Sequence, residues 1–263
     1  MNESFSLPLI IAHRGASALA PENTIASFSK AVEVGAEGIE FDVRLSKDGV
    51  PMVFHDSNLK RICAIDEKVS KLQSGQLRRL DAGSWFNTRH PALSDKQFAS
   101  ETIPTLEETL AFLNTYEGVI YIELKSKESE IGKLAEAVCG IIKTSKLVPQ
   151  IIVKSFKLDG IARVKKTFPE IETAALFAPK VKTIIRKENR FIEIAHEFGA
   201  DRLSLHFSLV TKKLMKKAAE QDFPVTIWTV DNSRWVSRAI RLGINHMITN
   251  NPARLIRKRR MIG

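Results

Sequence analysis

The chain has 263 residues, with 40 Lys and Arg against 30 Asp and Glu for a net charge of +10, and it is 44% hydrophobic. That composition belongs to an ordinary globular protein and excludes a disordered or collagen-like chain. Two cysteines, Cys63 and Cys139, stand far apart in unrelated contexts. Neither a disulfide framework nor a zinc cluster is therefore expected, and a reducing, cytoplasmic location is.

The opening MNESFSLPLIIAHRG carries no basic n-region, and its apolar run Leu7–Ala12 is far shorter than a signal core or a membrane span, so it reads as a strand. A helix follows over Thr24–Val34 and a strand over Gly38–Val43, and the run Val50–Phe54 reads as an extension of that second unit. From about Ser57 to Ile103 the rhythm breaks into turn signals at Gly75, Asp81-Ala82-Gly83 and Pro91, with no clean strand–helix unit. Beyond Pro104 it resumes with helix Leu106–Leu113, strand Val119–Leu124, helix Ile131–Lys143, strand Ile151–Val153 and helix Asp159–Lys166. Strand Glu172–Leu176, helix Phe191–His196, strand Arg202–Leu205 and helix Thr211–Glu220 come next. Strand Val225–Trp228, helix Ser233–Arg241, strand His246–Thr249 and helix Pro252–Arg260 close the chain. Continuous rather than alternating apolar runs mark strands buried on both faces of a parallel sheet. Strand–helix units repeated in this way predict an α/β fold, a (β/α)8 TIM barrel. Residues 1–263 are expected to form one domain, with an insertion at about 57–103 on the C-terminal face, where barrel active sites sit.

Chemically capable residues cluster just after these strands. His13-Arg14-Gly15 follows the first strand, and His55-Asp56 follows Val50–Phe54. Glu40 and Asp42 are two apart on the second strand, as are Glu123 and Lys125 on the third, so each pair points to one side. Glu40, Asp42 and Glu123 in one low-dielectric mouth would repel one another, and a hard divalent cation, Mg²⁺ or Ca²⁺, resolves the repulsion. Arg14 and Lys125 then read as anion clamps on a phosphate. The two histidines fit a general base and a general acid on opposite sides of a displacement at phosphorus. Together these residues describe metal-assisted phosphodiester hydrolysis.

The basic runs have two readings. Arg163, Lys165 and Lys166, then Lys212, Lys213, Lys216 and Lys217, then Arg254, Arg257, Lys258, Arg259 and Arg260 suit either anionic partners or solvated helix faces. No aromatic interleaving or nucleic-acid motif accompanies them, so solvated faces are expected, with no nucleic-acid partner. No amphipathic stretch carries an aromatic face, so stable membrane insertion is not expected either.

IIAHRGAS (Ile10–Ser17), PENTIASF (Pro21–Phe28), GAEGIEFDVRLSKDG (Gly35–Gly49), VFHD (Val53–Asp56), LDAGSWF (Leu80–Phe86), IPTLEE (Ile103–Glu108), YIELK (Tyr121–Lys125), VKSF (Val153–Phe156) and IWTVD (Ile227–Asp231) follow one another along the chain. In this order the sequence resembles the glycerophosphodiester phosphodiesterases. The resemblance implies a TIM barrel with a small insertion after the second strand unit. It also implies hydrolysis of a glycerophosphodiester to sn-glycerol 3-phosphate and an alcohol with Mg²⁺ or Ca²⁺ bound, and either water or the glycerol 2-hydroxyl as nucleophile. By resemblance His13 and His55 are the catalytic pair, and Glu40, Asp42 and Glu123 the metal carboxylates. Arg14 and Lys125 contact phosphate, and Trp228 lines the far wall. Glu22 sits beside the site, while Asn23 or Thr24 caps the first helix. Asp56 either orients His55 or caps a turn. Ser84-Trp85-Phe86 is either the insertion's own hydrophobic anchor, which is the preferred reading, or a lip on the substrate's glycerol or head group. The sequence departs from the family pattern at Arg61-Ile62-Cys63 and at Thr249-Asn250-Asn251. A related activity on lysophospholipids, of the lysophospholipase D type, is the alternative.

Overall fold

A computed structural model describes residues 7–179 and 189–262. Its strands are β1 Leu9–His13, β2 Gly38–Leu45, β3 Pro51–Val53, β4 Val119–Leu124, β5 Ile151–Ser155, β6 Glu172–Phe177, β7 Arg202–His206, β8 Val225–Trp228 and β9 His246–Thr249. All except β3 pair in parallel with their neighbours, and β1 pairs with both β2 and β9, which closes the sheet into a (β/α)8 barrel. Ile10, Ile122, Val153, Leu203, Ile227 and Met247 are fully buried, as the uninterrupted apolar runs require. Burying each such side chain contributes about 1.5–3 kcal/mol.

The outer layer includes α1 Ile25–Glu33, α5 Leu106–Phe112, α6 Ile131–Ile142, α7 Leu158–Thr167, α8 Asn189–Glu197, α9 Lys212–Glu220, α10 Arg234–Leu242 and α11 Pro252–Arg260. Thr24 caps α1 in a capping box with Ser27, Thr105 caps α5 in one with Glu108, and Asn251 caps α11 ahead of Pro252. Such oxygens satisfy the first free helix N–H groups. Two expectations need correction. The first strand begins at Leu9 rather than Leu7, because Pro8 has no N–H to give the ladder. Val50–Phe54 does not prolong β2 but contributes the short antiparallel strand β3, folded back so that Val53 faces Val43.

Between β3 and α5 the insertion forms α2 Lys60–Cys63, α3 Ser74–Leu77 and α4 Ser84–Arg89 with short 3-10 turns. It has its own small core of Leu59, Ile62, Val69, Leu77, Ala82 and Ile103, packed on Met52 and Phe54. Phe86 is fully buried, edge-on to Trp85 and Phe98, so it anchors the insertion as expected.

Inside the barrel, Tyr121 Oη lies 2.8 Å from Thr226 Oγ1 and 2.7 Å from His246 Nδ1. Arg202 Nη1 reaches Tyr121 Oη at 3.1 Å and His246 Nδ1 at 3.2 Å while pairing with Glu172. Burial, reinforced by the Arg202 guanidinium, pushes the His246 imidazole down to about 3. The unfolded chain therefore takes up a proton that the fold refuses as pH drops below about 6.5, and stability falls by about 1.4 kcal/mol per pH unit from there. Between about pH 7 and pH 5 the wild type should lose ~2 kcal/mol more than His246→Gln, measured by denaturant unfolding. Equal losses in the two proteins would contradict the assignment.

Candidate functional site

Strand register assembles the site. His13 lies beside Glu40 across β1 and β2, Asp42 beside Glu123 across β2 and β4, and Glu123 beside Lys154 across β4 and β5. Glu40, Asp42 and Glu123 are buried, and one ligand oxygen from each lies within 4.8 Å of the others.

Three buried carboxylates require positive charge nearby. Lys154 Nζ supplies it at 2.7 Å from Glu40 Oε1 and 3.3 Å from Glu123 Oε2. Lys125 Nζ pairs with Glu123 and lies 3.5 Å from Asp42 Oδ1. Arg14 Nε stands 3.2 Å from Asp42 Oδ2. Burial alone would raise the Asp42 carboxyl, but Lys125, Arg14 and both imidazoles hold it far below the usual carboxylate range. Burial works the same way on Glu40, where Lys154 and then His13 outweigh it and lower the carboxyl. Glu40 Oε1, Asp42 Oδ1 and Glu123 Oε1 nevertheless accept no well-directed hydrogen bond. Their contacts are ionic, and each oxygen keeps lone pairs free to coordinate. An all-oxygen set of this kind fits a hard divalent cation.

The turn after β1 is held in an unusual shape. Arg14 has φ +53° and Gly15 φ +76°, with Arg14 N–H donating to Glu40 Oε2 at 3.0 Å. A Cβ at Gly15 would stand 2.4 Å from Ser27 Oγ and 2.6 Å from the Ser27 carbonyl carbon, so only glycine fits between the turn and α1. His13 Nδ1 lies 2.7 Å from Asn250 Oδ1, and the Asn250 side chain in turn donates to Asp231 Oδ2 at 2.7 Å. An amide oxygen as partner assigns the proton to Nδ1, leaving Nε2 on the Glu40 side at 3.9 Å. Burial pushes the His13 imidazole below its usual value against the pull of Glu40.

His55 is oriented in a parallel way. Its Nδ1 is 2.6 Å from Asp56 Oδ1, so Asp56 does orient the imidazole. Arg61 from the insertion binds Asp56 Oδ2 at 2.6 Å and grips Glu22 through both terminal nitrogens at 2.9 and 2.7 Å. Glu22 then reaches Arg14 Nη1 at 2.8 Å. The insertion is thereby tied to the surroundings of both imidazoles through one guanidinium.

Of the sequence-selected residues, His13, Arg14, Glu22, Glu40, Asp42, His55, Asp56, Glu123 and Lys125 form one connected cluster. Trp228 stands apart in an aromatic wall, edge-on to Phe156 and His206 at 5.4 Å each. Lys125 Nζ, 5.6 Å from the Phe156 ring, links the wall to the cluster. A groove of about 850 Å3 lined by Val32, Glu33, Phe112 and Tyr116 lies at the opposite end of the barrel and includes none of these groups.

Residues 13–254 match the Glycerophosphoryl diester phosphodiesterase family. The chain belongs to that family. It is 32% identical over 254 residues to a glycerophosphodiester phosphodiesterase of Caldanaerobacter subterraneus, covering 94% of this chain and 96% of the relative. It is also similar to the structure of an Oleispira antarctica phosphodiesterase in complex with the product sn-glycerol-3-phosphate, with a TM-score of 0.83, 27% identity and 96% of both chains covered. A glycerophosphodiester phosphodiesterase of Thermotoga maritima matches with a TM-score of 0.74 at 25% identity, over 96% of this chain and 98% of its own.

Within this family framework the sequence reading missed three contributors. Lys154 passed as an ordinary residue of the VKSF strand, although a lysine inside an apolar run is seldom buried without a charged partner. Asn23 was a candidate cap, but Thr24 does the capping. At φ +58° Asn23 instead donates its Nδ2 to Asp42 Oδ2 at 3.1 Å. Asn250 stood out only as a departure from the family pattern, yet it is the partner of His13. Among the basic runs, Arg259 is not on a solvated face: it forms a two-pronged ion pair with Glu37 at 2.6 and 2.8 Å.

Proposed function

We propose that this chain hydrolyses glycerophosphodiesters to sn-glycerol 3-phosphate and an alcohol, with Glu40, Asp42 and Glu123 holding one Mg²⁺ or Ca²⁺ ion. The observation carrying this reading is a buried carboxylate triad with coordinating oxygens free, beside two imidazoles whose Nδ1 atoms are each taken by an orienting partner. When bound, the ion neutralises charge on a phosphoryl oxygen as a Lewis acid. Arg14 and Lys125 offer donors to the other phosphoryl oxygens.

His13, held neutral by burial, accepts the proton of the attacking hydroxyl through Nε2. His55, whose Nδ1 bonds the Asp56 carboxylate, donates a proton to the leaving oxygen; Asp56 offers a negative partner to the ring while it carries that proton. Trp228, with a buried Nε1 that has no partner, forms the wall against which the organic part of the substrate rests. We treat residues 1–263 as one catalytic unit in which the insertion at about 57–103 braces the His55 side through Arg61. A cytoplasmic setting suits Cys63 and Cys139, which are both free thiols.

The test is product analysis with glycerophosphocholine, glycerophosphoethanolamine and lysophosphatidylcholine. Release of glycerol 3-phosphate from the first two is the expected result. Choline release from lysophosphatidylcholine alone would replace this reading with the lysophospholipase D type, and inertness toward all three would contradict hydrolysis.

A further inference from the structure

The net charge of +10 is not spread over the molecule. Residues 232–263 contain eight Lys and Arg and no Asp or Glu, so +8 of the +10 lies in this last stretch. It supplies α10 and α11, which lie side by side on the barrel.

On α10 the buried residues are Val236 and Ala239, while Arg234, Arg238 and Arg241 follow one another at helical spacing on the exposed side. On α11 the buried residues are Pro252, Leu255 and Ile256, and Arg254, Arg257, Lys258 and Met261 fall on the opposite side. Arg259 alone turns inward to Glu37. Among the described residues none of Arg234, Arg238, Arg241, Arg254, Arg257, Lys258 or Arg260 has an ion-pair partner. The α9 lysines are different, since Lys216 already pairs with Glu220. Two adjacent helices thus present parallel basic rows about 10 Å apart, with no acidic side chain on either helix to answer them.

We propose that these rows form a docking surface for an anionic phospholipid bilayer. A sheet of lipid phosphates complements two parallel rows on adjacent helices, and such charges accumulate attraction one by one within a Debye length of the surface. The apolar side chains beside the rows favour lipid over nucleic acid. Met261 is 72% exposed and Ile262 40%, directly after Arg257, Lys258 and Arg260. They gain from entering the headgroup boundary and gain nothing from a phosphodiester backbone. The only aromatic ring on α10, Trp235, is packed against Phe207 and covered by Arg238 at 4.2 Å, so it is unavailable for stacking on bases. The proposal does not rest on the reaction assigned above.

The experiment is co-sedimentation of the full chain with vesicles of phosphatidylcholine alone and of phosphatidylcholine with about one-third phosphatidylglycerol. Binding is expected to the second only, and to fall as salt rises from about 0.1 to 0.5 M. Arg254→Gln with Arg257→Gln and Lys258→Gln should weaken it about a hundredfold, at roughly fivefold per charge. Lys96→Gln with Lys133→Gln and Lys146→Gln removes the same net charge from exposed sites elsewhere and should leave it within twofold. Met261→Ser with Ile262→Ser should weaken vesicle binding but not retention on heparin. Turnover of soluble glycerophosphocholine, where present, should be the same in all these variants, which checks their folding. Equal binding to both vesicle types, or equal weakening by the control triple variant, would overturn the proposal. Tighter binding to a DNA duplex than to the charged vesicles, or indifference to the Met261 and Ile262 changes, would assign the surface to nucleic acid instead.

Discussion

His13→Ala and His55→Ala are each expected to lower kcat by roughly two to four orders of magnitude, the usual share of general acid–base catalysis, with little change in thermal stability. Both imidazoles sit at strand ends with partly exposed side chains rather than in the apolar core, so truncation leaves no large cavity. Their partners make the two losses distinguishable. Asn250 is a neutral acceptor and His13 is held neutral by burial, which suits a base. Asp56 is a carboxylate that holds the His55 ring through Nδ1, the arrangement proposed above for the acid. A p-nitrophenyl phosphodiester needs no protonation of its leaving group, so it should restore most of the activity of His55→Ala and little of that of His13→Ala. The reverse pattern would exchange the two roles. Wild-type turnover in either variant would remove that histidine from the chemistry.

Lys154→Met should be severe in a different way. Lys154 is 2% exposed and bridges Glu40 and Glu123, and both carboxylates outweigh its burial and hold its ammonium above the ordinary lysine range. Methionine preserves most of the volume and removes the charge, leaving Glu40 and Glu123 with less compensation in a low-dielectric interior. Breaking a buried ion pair from one side costs about 3–5 kcal/mol. That loss should appear in full when unfolding is followed in EDTA. Millimolar Mg²⁺ or Ca²⁺ should return much of it, because a divalent ion on the triad supplies the missing positive charge and binds only the folded chain. Unchanged stability in EDTA would show that Lys154 is not the counter-charge of the cluster. A loss that neither ion relieves would argue against coordination by Glu40 and Glu123.

The barrel was legible because its signal is repeated: each buried parallel strand is an apolar run of a few residues bounded by a helix with polar periodicity. The clustering of His13, Glu40, Asp42, His55 and Glu123 was legible because chemically capable residues recur on or just after β1, β2, β3 and β4. The insertion was legible only as a break, since α2, α3 and α4 are helices too short to show a period, and they are held by the packing of Ile62 and Leu77 in the small core and of Phe86 against Trp85 and Phe98. Lys154, Asn23 and Asn250 depend on partners 114, 19 and 237 residues away in the chain, and only closure of the barrel brings these groups together. Arg61 illustrates the same limit. It stood out as a deviation from a motif, while its bond to Asp56 and its double grip on Glu22 exist only once the insertion has folded over the mouth.

The measurement that bears most directly on this account is glycerol 3-phosphate release from glycerophosphocholine by the purified chain in EDTA, then with Mg²⁺ or Ca²⁺ restored in excess, repeated with Asp42→Asn. Release should vanish in EDTA and return with at least one of the two ions, and the variant should stay inactive at any ion concentration. Full release in EDTA, or full activity in Asp42→Asn, would contradict a carboxylate-held ion at the centre of the chemistry.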